Sequence, residues 1–127
     1  MTTIIITIRG TQLKAQLYDT PTANTLAQAL PMKSTALVWG DEVYFKIAVK
    51  AGLEADAREV VEVGDLAYWP TMPAFCIFFG PTPVSIGNEP RAASRVNVFG
   101  KLIDPDLEFL RQIEDGEEIL VSVVEGP

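Results

Sequence analysis

The sequence contains no histidine. That excludes a Ser-His-Asp triad, a Cys-His dyad and any metal held by imidazole. Cysteine occurs once, as Cys76, so no intrachain disulfide can form. Cys76 lies between Phe75 and Ile77, with no cation or base beside it, and reads as a small buried hydrophobe, not a nucleophile. Positive charge is scarce: 10 Lys and Arg stand against 17 Asp and Glu, a net charge of −7. A nucleic-acid backbone needs concentrated Lys and Arg. The chain has no basic run, so no nucleic-acid partner is expected, and the acidic excess reads as a solubilising surface. No Asp-x-Asp-x-Asp loop is present to hold calcium, and neither a metal nor a cofactor is expected. No segment approaches the ~20 apolar residues of a membrane-spanning helix. The N-terminal TTIIITIRG alternates with threonine and lacks the basic start of a signal peptide, so the expectation is a cytoplasmic protein without a membrane partner.

What is present is apolar residue in short alternating runs. The 127 residues are 48% apolar, a length and composition suited to one domain over 1–127. Ile4, Ile6 and Ile8 share one face of a strand, as do Leu13, Ala15 and Leu17. Gly10-Thr11 between them suits a two-residue type II′ turn, which pairs Ile8 with Leu13. Thr20-Pro21 opens a helix whose stripe is Ala23, Leu26, Ala27 and Leu30. Thr35–Trp39 and Glu42–Val49 form a second hairpin around Gly40-Asp41. Its second face carries Leu37, Trp39, Tyr44 and Lys46, which must be covered by another element or line a cleft; cover is the expectation. Glu59–Val63 and Leu66–Trp69 follow, and the unbroken run Phe75–Phe79 reads as a strand buried on both faces. Gly80–Ala93 has no periodicity and reads as a long loop, functional or mobile. Arg95–Leu102 is a strand, Asp104 caps a second helix, and Glu117–Glu125 closes the chain as a strand. The sum is a mainly β chain of about eight antiparallel strands with two short helices, which removes its edges by closing into a barrel.

The ordered segments Trp39-Gly40-Asp41-Glu42-Val43-Tyr44-Phe45, Arg58 to Pro70, Phe75 to Pro83 and Ala93 to Lys101 resemble the prokaryotic cyclophilin-like family of small proteins without an assigned biochemical role. The resemblance spans nearly the whole chain. It implies a closed eight-stranded antiparallel cyclophilin-like β-barrel flanked by helices. It does not carry over peptidyl-prolyl isomerase activity, because the histidine and the Phe-His-Arg motif of true cyclophilins are absent.

Carboxylates are plentiful, including Asp41, Glu42, Glu62, Asp65, Glu89 and Asp104. Asp41 and Asp65 follow glycine at expected turns and read as turn residues. The stronger candidates are polar residues around the long loop and the strand after it: Thr82, Ser85, Arg91, Ser94, Arg95 and Asn97, with Tyr44, Tyr68, Trp69 and Phe79 as walls. A ligand site combines apolar walls with a few convergent polar groups, and arginine clamps a carboxylate or phosphate through paired bonds. The expected function is therefore a module that binds a small anionic molecule or a peptide in a cleft near 80–97. Two alternatives belong to other classes. One is an enzyme, either a residual prolyl isomerase or hydrolase-like. The other is an interaction protein, a homodimer or a subunit of a larger assembly, since the resemblance extends to barrels within carboxylase-type and amide-hydrolysing systems.

Overall fold

The computed structural model describes residues 2–124. Strands β1 (Thr2–Ile8) and β2 (Thr11–Leu17) form the N-terminal hairpin, and Ile4, Ile6, Ile8 and Ala15 are wholly removed from solvent. The turn is Arg9-Gly10, not Gly10-Thr11: φ is 55° and 76°, the left-handed pair that a type I′ turn needs. Ile8 therefore faces Thr11, Ile6 faces Leu13 and Ile4 faces Ala15. The register differs from the expected one by two residues. A strand repeats its facing every two residues, so each side chain keeps its face. Arg9 is anchored in this conformation by its guanidinium, which donates to the Glu117 carboxylate at 2.6 and 2.7 Å and to the Gln112 carbonyl at 2.8 Å.

The last strand, β10 (Glu118–Val123), pairs with β1, which places the two ends of the chain side by side. Ile119 and Val121 are buried, whereas Val123 is 43% exposed; Glu125, expected in this strand, lies outside the described residues. Between these ends run β3 (Met32–Thr35), β4 (Leu37–Val38), β5 (Glu42–Lys46), β6 (Arg58–Val60), β7 (Asp65–Trp69), β8 (Ala74–Phe78) and β9 (Arg91–Leu102). They form one antiparallel sheet in the order β3-β10-β1-β2-β9-β7-β8-β5-β4, with β6 paired to β9. The described residues form ten strands where about eight were expected: β3 begins at Met32, ahead of the segment expected as Thr35–Trp39, and that segment itself divides at Ala36. Its first part pairs with β10, its second with β5. The two ends of the ladder, β3 and β4, are not hydrogen-bonded to each other, so the expected closed ladder is not what holds the sheet in shape. One residue, Ala36, carries the chain from one edge to the other, and Ser34 Oγ donates to the Lys46 carbonyl at 2.7 Å.

The curled sheet encloses a core of aliphatics around three aromatic rings. Phe45 stacks on Phe75 with centroids 4.6 Å apart, and Phe75 meets Phe99 edge to face at 5.0 Å. Helix α1 (Pro21–Gln28) adds Ala23 and Leu26 to this core; Thr20 caps it, accepting from the Ala23 amide at 3.1 Å. Helix α2 (Leu107–Arg111) is capped by Asp106, not Asp104, which is held at φ 46° two residues before the cap. The irregular 47–57 stretch is tied down by side chains from β7 and β9. Tyr68 Oη donates to the Val49 carbonyl at 2.8 Å and accepts from the Ala51 amide at 3.1 Å. No helix among the described residues is long and apolar enough to cross a membrane.

Candidate functional site

Strand alternation fixes which residues reach the outer face of the sheet. Across β5, β8 and β7 the register places Tyr44 beside Cys76 and Cys76 beside Ala67; Glu42 lies opposite Phe78, and Trp69 opposite Ala74. The residues between them, Val43, Ile77, Leu66, Phe45, Phe75 and Tyr68, point the other way into the main core. Phe75–Phe78 is thus buried on both faces, as its unbroken apolar character requires. The outer side is a second, smaller core: Val61, Ala67, Ala74, Cys76, Phe78, Ala92 and Val96, with Tyr44, Trp69, Met72 and Val98 packed against it. The N-terminal half of β9 builds this layer. β9 pairs with β6 through this first half and only then, through its C-terminal half, with β7 and β2.

The layer is incomplete. A cavity of about 230 Å³ opens in it, lined by Trp39, Glu42, Tyr44, Trp69, Cys76, Ala92, Ala93 and Val96. Small side chains make the space: Ala92 and Ala93 stand where larger residues would fill it. The second face of the β4–β5 hairpin, expected to be covered, therefore contributes Trp39 and Tyr44 to a cleft. Trp39 is held at the cleft edge by the turn that follows it. The Asp41 amide donates to the Pro81 carbonyl and the Phe79 amide to the Asp41 carbonyl, both at 2.9 Å. Gly40, at φ 60°, sits so close to this loop that a Cβ would lie 2.9 Å from Thr82 Cα and Pro83 Cδ. Only glycine fits both the conformation and the contact. Trp69 is oriented by its indole N–H, which donates to Ser94 Oγ at 2.7 Å.

Glu42 is the one charged residue in the wall, and it is only 6% exposed. Burial pushes its carboxyl up to about 7, against the smaller opposing pull of a hydrogen bond from the Cys76 thiol. Among the described residues no Lys or Arg stabilises its charged form. The Cys76 thiol is pushed well up, by burial first and by Glu42 second, so it stays protonated and unreactive. The Tyr44 hydroxyl is raised as well, by burial and then by the charges of Glu42 and Asp115.

Of the residues singled out from the sequence, Tyr44 and Trp69 line this cavity, and Ser94 braces Trp69 from behind. The others lie elsewhere. Arg95 is exposed and outside the cavity wall. Arg91 pairs with Glu89 at 3.1 Å and Glu59 at 3.6 Å. Asn97 faces the opposite side of β9, where Oδ1 accepts from the Glu54 amide at 2.8 Å while Nδ2 donates to the Gly52 carbonyl at 2.8 Å and to Thr22 Oγ1 at 3.0 Å. Phe79 belongs to the main core. Thr82 and Ser85 fasten the 80–90 loop: Thr82 Oγ1 donates to the Arg91 carbonyl at 2.5 Å, and Ser85 Oγ accepts from the Thr82 amide at 2.9 Å. Glu89 completes that fastening, its carboxylate accepting from the Ile86 and Gly87 amides at 2.9 and 2.8 Å. The stretch expected as a functional or mobile loop, Gly80–Ala93, is internally tied between Thr82 and Arg91, and its last residues, Ala92 and Ala93, open β9 and line the cavity wall. Glu42 and Cys76 are not among the site residues that the sequence pattern singles out. The available signal was parity: Glu42 is two residues from Tyr44 on a strand, so the two must share a face, and a carboxylate on an aromatic face is out of place. Asp65 has the turn role read from its sequence, its carboxylate accepting from the Glu62 amide at 2.8 Å. Among the described residues no group of acidic residues and cysteine is arranged to hold a metal.

The comparisons agree with this architecture. A family model described as cyclophilin-like matches residues 2–122. The solution structure of the hypothetical protein AF2241 from Archaeoglobus fulgidus superposes with a TM-score of 0.81 at 38% identity, covering 97% of this chain and 95% of that one. No curated protein matches the sequence. Matched along nearly its whole length by both the family model and that archaeal structure, the chain belongs to the cyclophilin-like family.

Proposed function

We propose that the protein is a small-molecule binding module whose site is the outer-face cleft between the β4–β5 hairpin, β7, β8 and the start of β9. The observation that carries this reading is the cavity of about 230 Å³ that gathers both tryptophans of the chain, a tyrosine and one buried carboxyl group. Apolar walls with a few polar groups, here one of them charged, are the composition of a ligand site. The volume is below the roughly 300–1,000 Å³ of cavities that hold drug-sized ligands. It suits a compact ligand or one end of a longer one, and does not suit a folded peptide. The curled sheet serves as a rigid frame for the site, a barrel in mechanical terms. Support for that comes from Ala36, whose amide donates to the Glu117 carbonyl at 2.8 Å and whose carbonyl accepts from the Gly116 amide at 2.9 Å.

The tryptophans make the test direct, because the chain's two tryptophans, Trp39 and Trp69, both line the cleft and their emission is excited apart from that of tyrosine. A fragment set of small amines, alcohols and carboxylates should contain compounds that shift this emission and raise the melting temperature. Ala93→Phe, at an exposed position of the cleft wall, should weaken those compounds at least tenfold. Equal affinity for the blocked variant, or a set without a single binder, would overturn the assignment.

A further inference from the structure

Resting on the cleft assignment above, we propose that the cleft takes a small organic cation, an alkylated ammonium group seated among Trp39, Tyr44 and Trp69 with Glu42 as its counter-ion. Four features of the molecule converge on this. Glu42 is 6% exposed and opens onto the cavity, and among the described residues its carboxyl has no partner but the Cys76 thiol. A buried carboxylate without a cation is costly, so the missing positive charge is the one thing the wall lacks. None of the 10 Lys and Arg residues lines the cavity. Three aromatic side chains surround the space, and aromatic faces attract a cation held within about 6 Å of a ring. A net charge of −7 also draws cations toward the molecule over longer range.

The same features argue against the anion that Arg91 and Arg95 suggest in the sequence. Both arginines lie outside the cavity wall, and an anion entering it would meet Glu42. They do not disfavour a neutral ligand of the same shape, so that comparison is the deciding one. The polar surroundings of Glu42 are few. Cys76 on β8 and Tyr44 on β5 both line the cavity, and each has its proton held by burial and by the Glu42 charge. Asp115 adds negative charge near Tyr44.

The experiment compares three molecules of nearly one shape: choline, its neutral carbon isostere 3,3-dimethylbutan-1-ol, and the anion 3,3-dimethylbutanoate. Binding to the intact protein is read by tryptophan fluorescence and calorimetry at pH 8, where Glu42 carries its charge. Choline should bind at least tenfold more tightly than the alcohol, and the anion should bind weakest. In Glu42→Gln the ratio between choline and the alcohol should fall below twofold. An alcohol that binds as well as choline would overturn the cation and leave the cleft standing. A choline preference that persists in Glu42→Gln would overturn Glu42 as the counter-ion. Failure of all three to perturb the tryptophans would remove both readings together.

Discussion

Asn97 shows how one residue can invite a functional reading and serve the fold instead. Its side chain makes three hydrogen bonds, to Glu54, Gly52 and Thr22, and joins β9 to the irregular 47–57 stretch and to α1. Asn97→Ala would remove the partner of the part-buried Glu54 amide and Gly52 carbonyl and of the buried Thr22 hydroxyl, a loss of about 1–3 kcal/mol. Urea denaturation should show that loss, while a ligand of the cleft should bind the variant within twofold of the original, since Asn97 faces away from it. A large loss of affinity in a variant that remains folded would place Asn97 in the site after all. The sequence marks Asn97 as a polar residue in a buried strand, but not its use, because its partners lie 43 to 75 residues away and meet it only in three dimensions. Glu42 is the reverse case. Its parity with Tyr44 was readable, yet what makes it unusual is the absence of a neighbouring cation, and that depends on which strands come together.

At the scale of the element, β9 organises both cores. Its C-terminal half, with Phe99, seals the interior against β2 and β7, and its N-terminal half roofs the outer face. The first half was legible from alternation in Arg95–Leu102. The second was not, because Arg91–Ser94 follows a proline-rich loop and is paired through Arg91 to the short, exposed strand β6. The close approach of β9 to β2 depends on Gly100. A Cβ there would lie 2.6 Å from the Gln16 carbonyl oxygen and 3.3 Å from Leu17 Cα, which are backbone atoms of β2 that cannot rotate aside. Gly100→Ala should therefore separate β2 from β9 and destabilise the protein by about 1–3 kcal/mol, as overpacking does. Thermal melting should show this, and faster hydrogen exchange at the Tyr18 amide, which donates to the Phe99 carbonyl at 2.8 Å, would locate it. An unchanged melting temperature would mean that the two strands can part without cost. The hairpin register failed for a related reason. Alternation fixes faces modulo two residues, and only the turn conformation at Arg9-Gly10, anchored by the distant Glu117, selects between them.

For the whole molecule, opposing carboxyl groups set the dependence of stability on pH. Glu89 is lowered to about 2 by the Ile86 and Gly87 amides, and Glu117 is lowered by Arg9 and the Glu114 amide. Their stabilisation is present above the ordinary carboxyl value of 4.5 and is lost as pH falls through their lowered values. Glu42 acts in the opposite sense. From pH 4.5 to about 7 the folded chain keeps a proton on Glu42 that the unfolded chain releases, so stability declines as pH rises through that interval. Carried to its end, the decline amounts to about 3 kcal/mol, at ~1.4 kcal/mol for each unit of displacement. The raised Asp65 adds to it in the same direction. Together these groups place maximum stability on the acidic side of neutrality, near the pH at which the unfolded carboxyls begin to ionise. The urea midpoint should accordingly fall between pH 5 and pH 8, and Glu42→Gln should flatten most of that fall and be the more stable protein at pH 8. A midpoint that rises over the same range would show that Glu42 ionises in place at little cost, and the cleft would then need no cation to balance it. If the fall is observed, a bound organic cation should reverse it, because it supplies at pH 8 the positive charge that the proton supplies at pH 5.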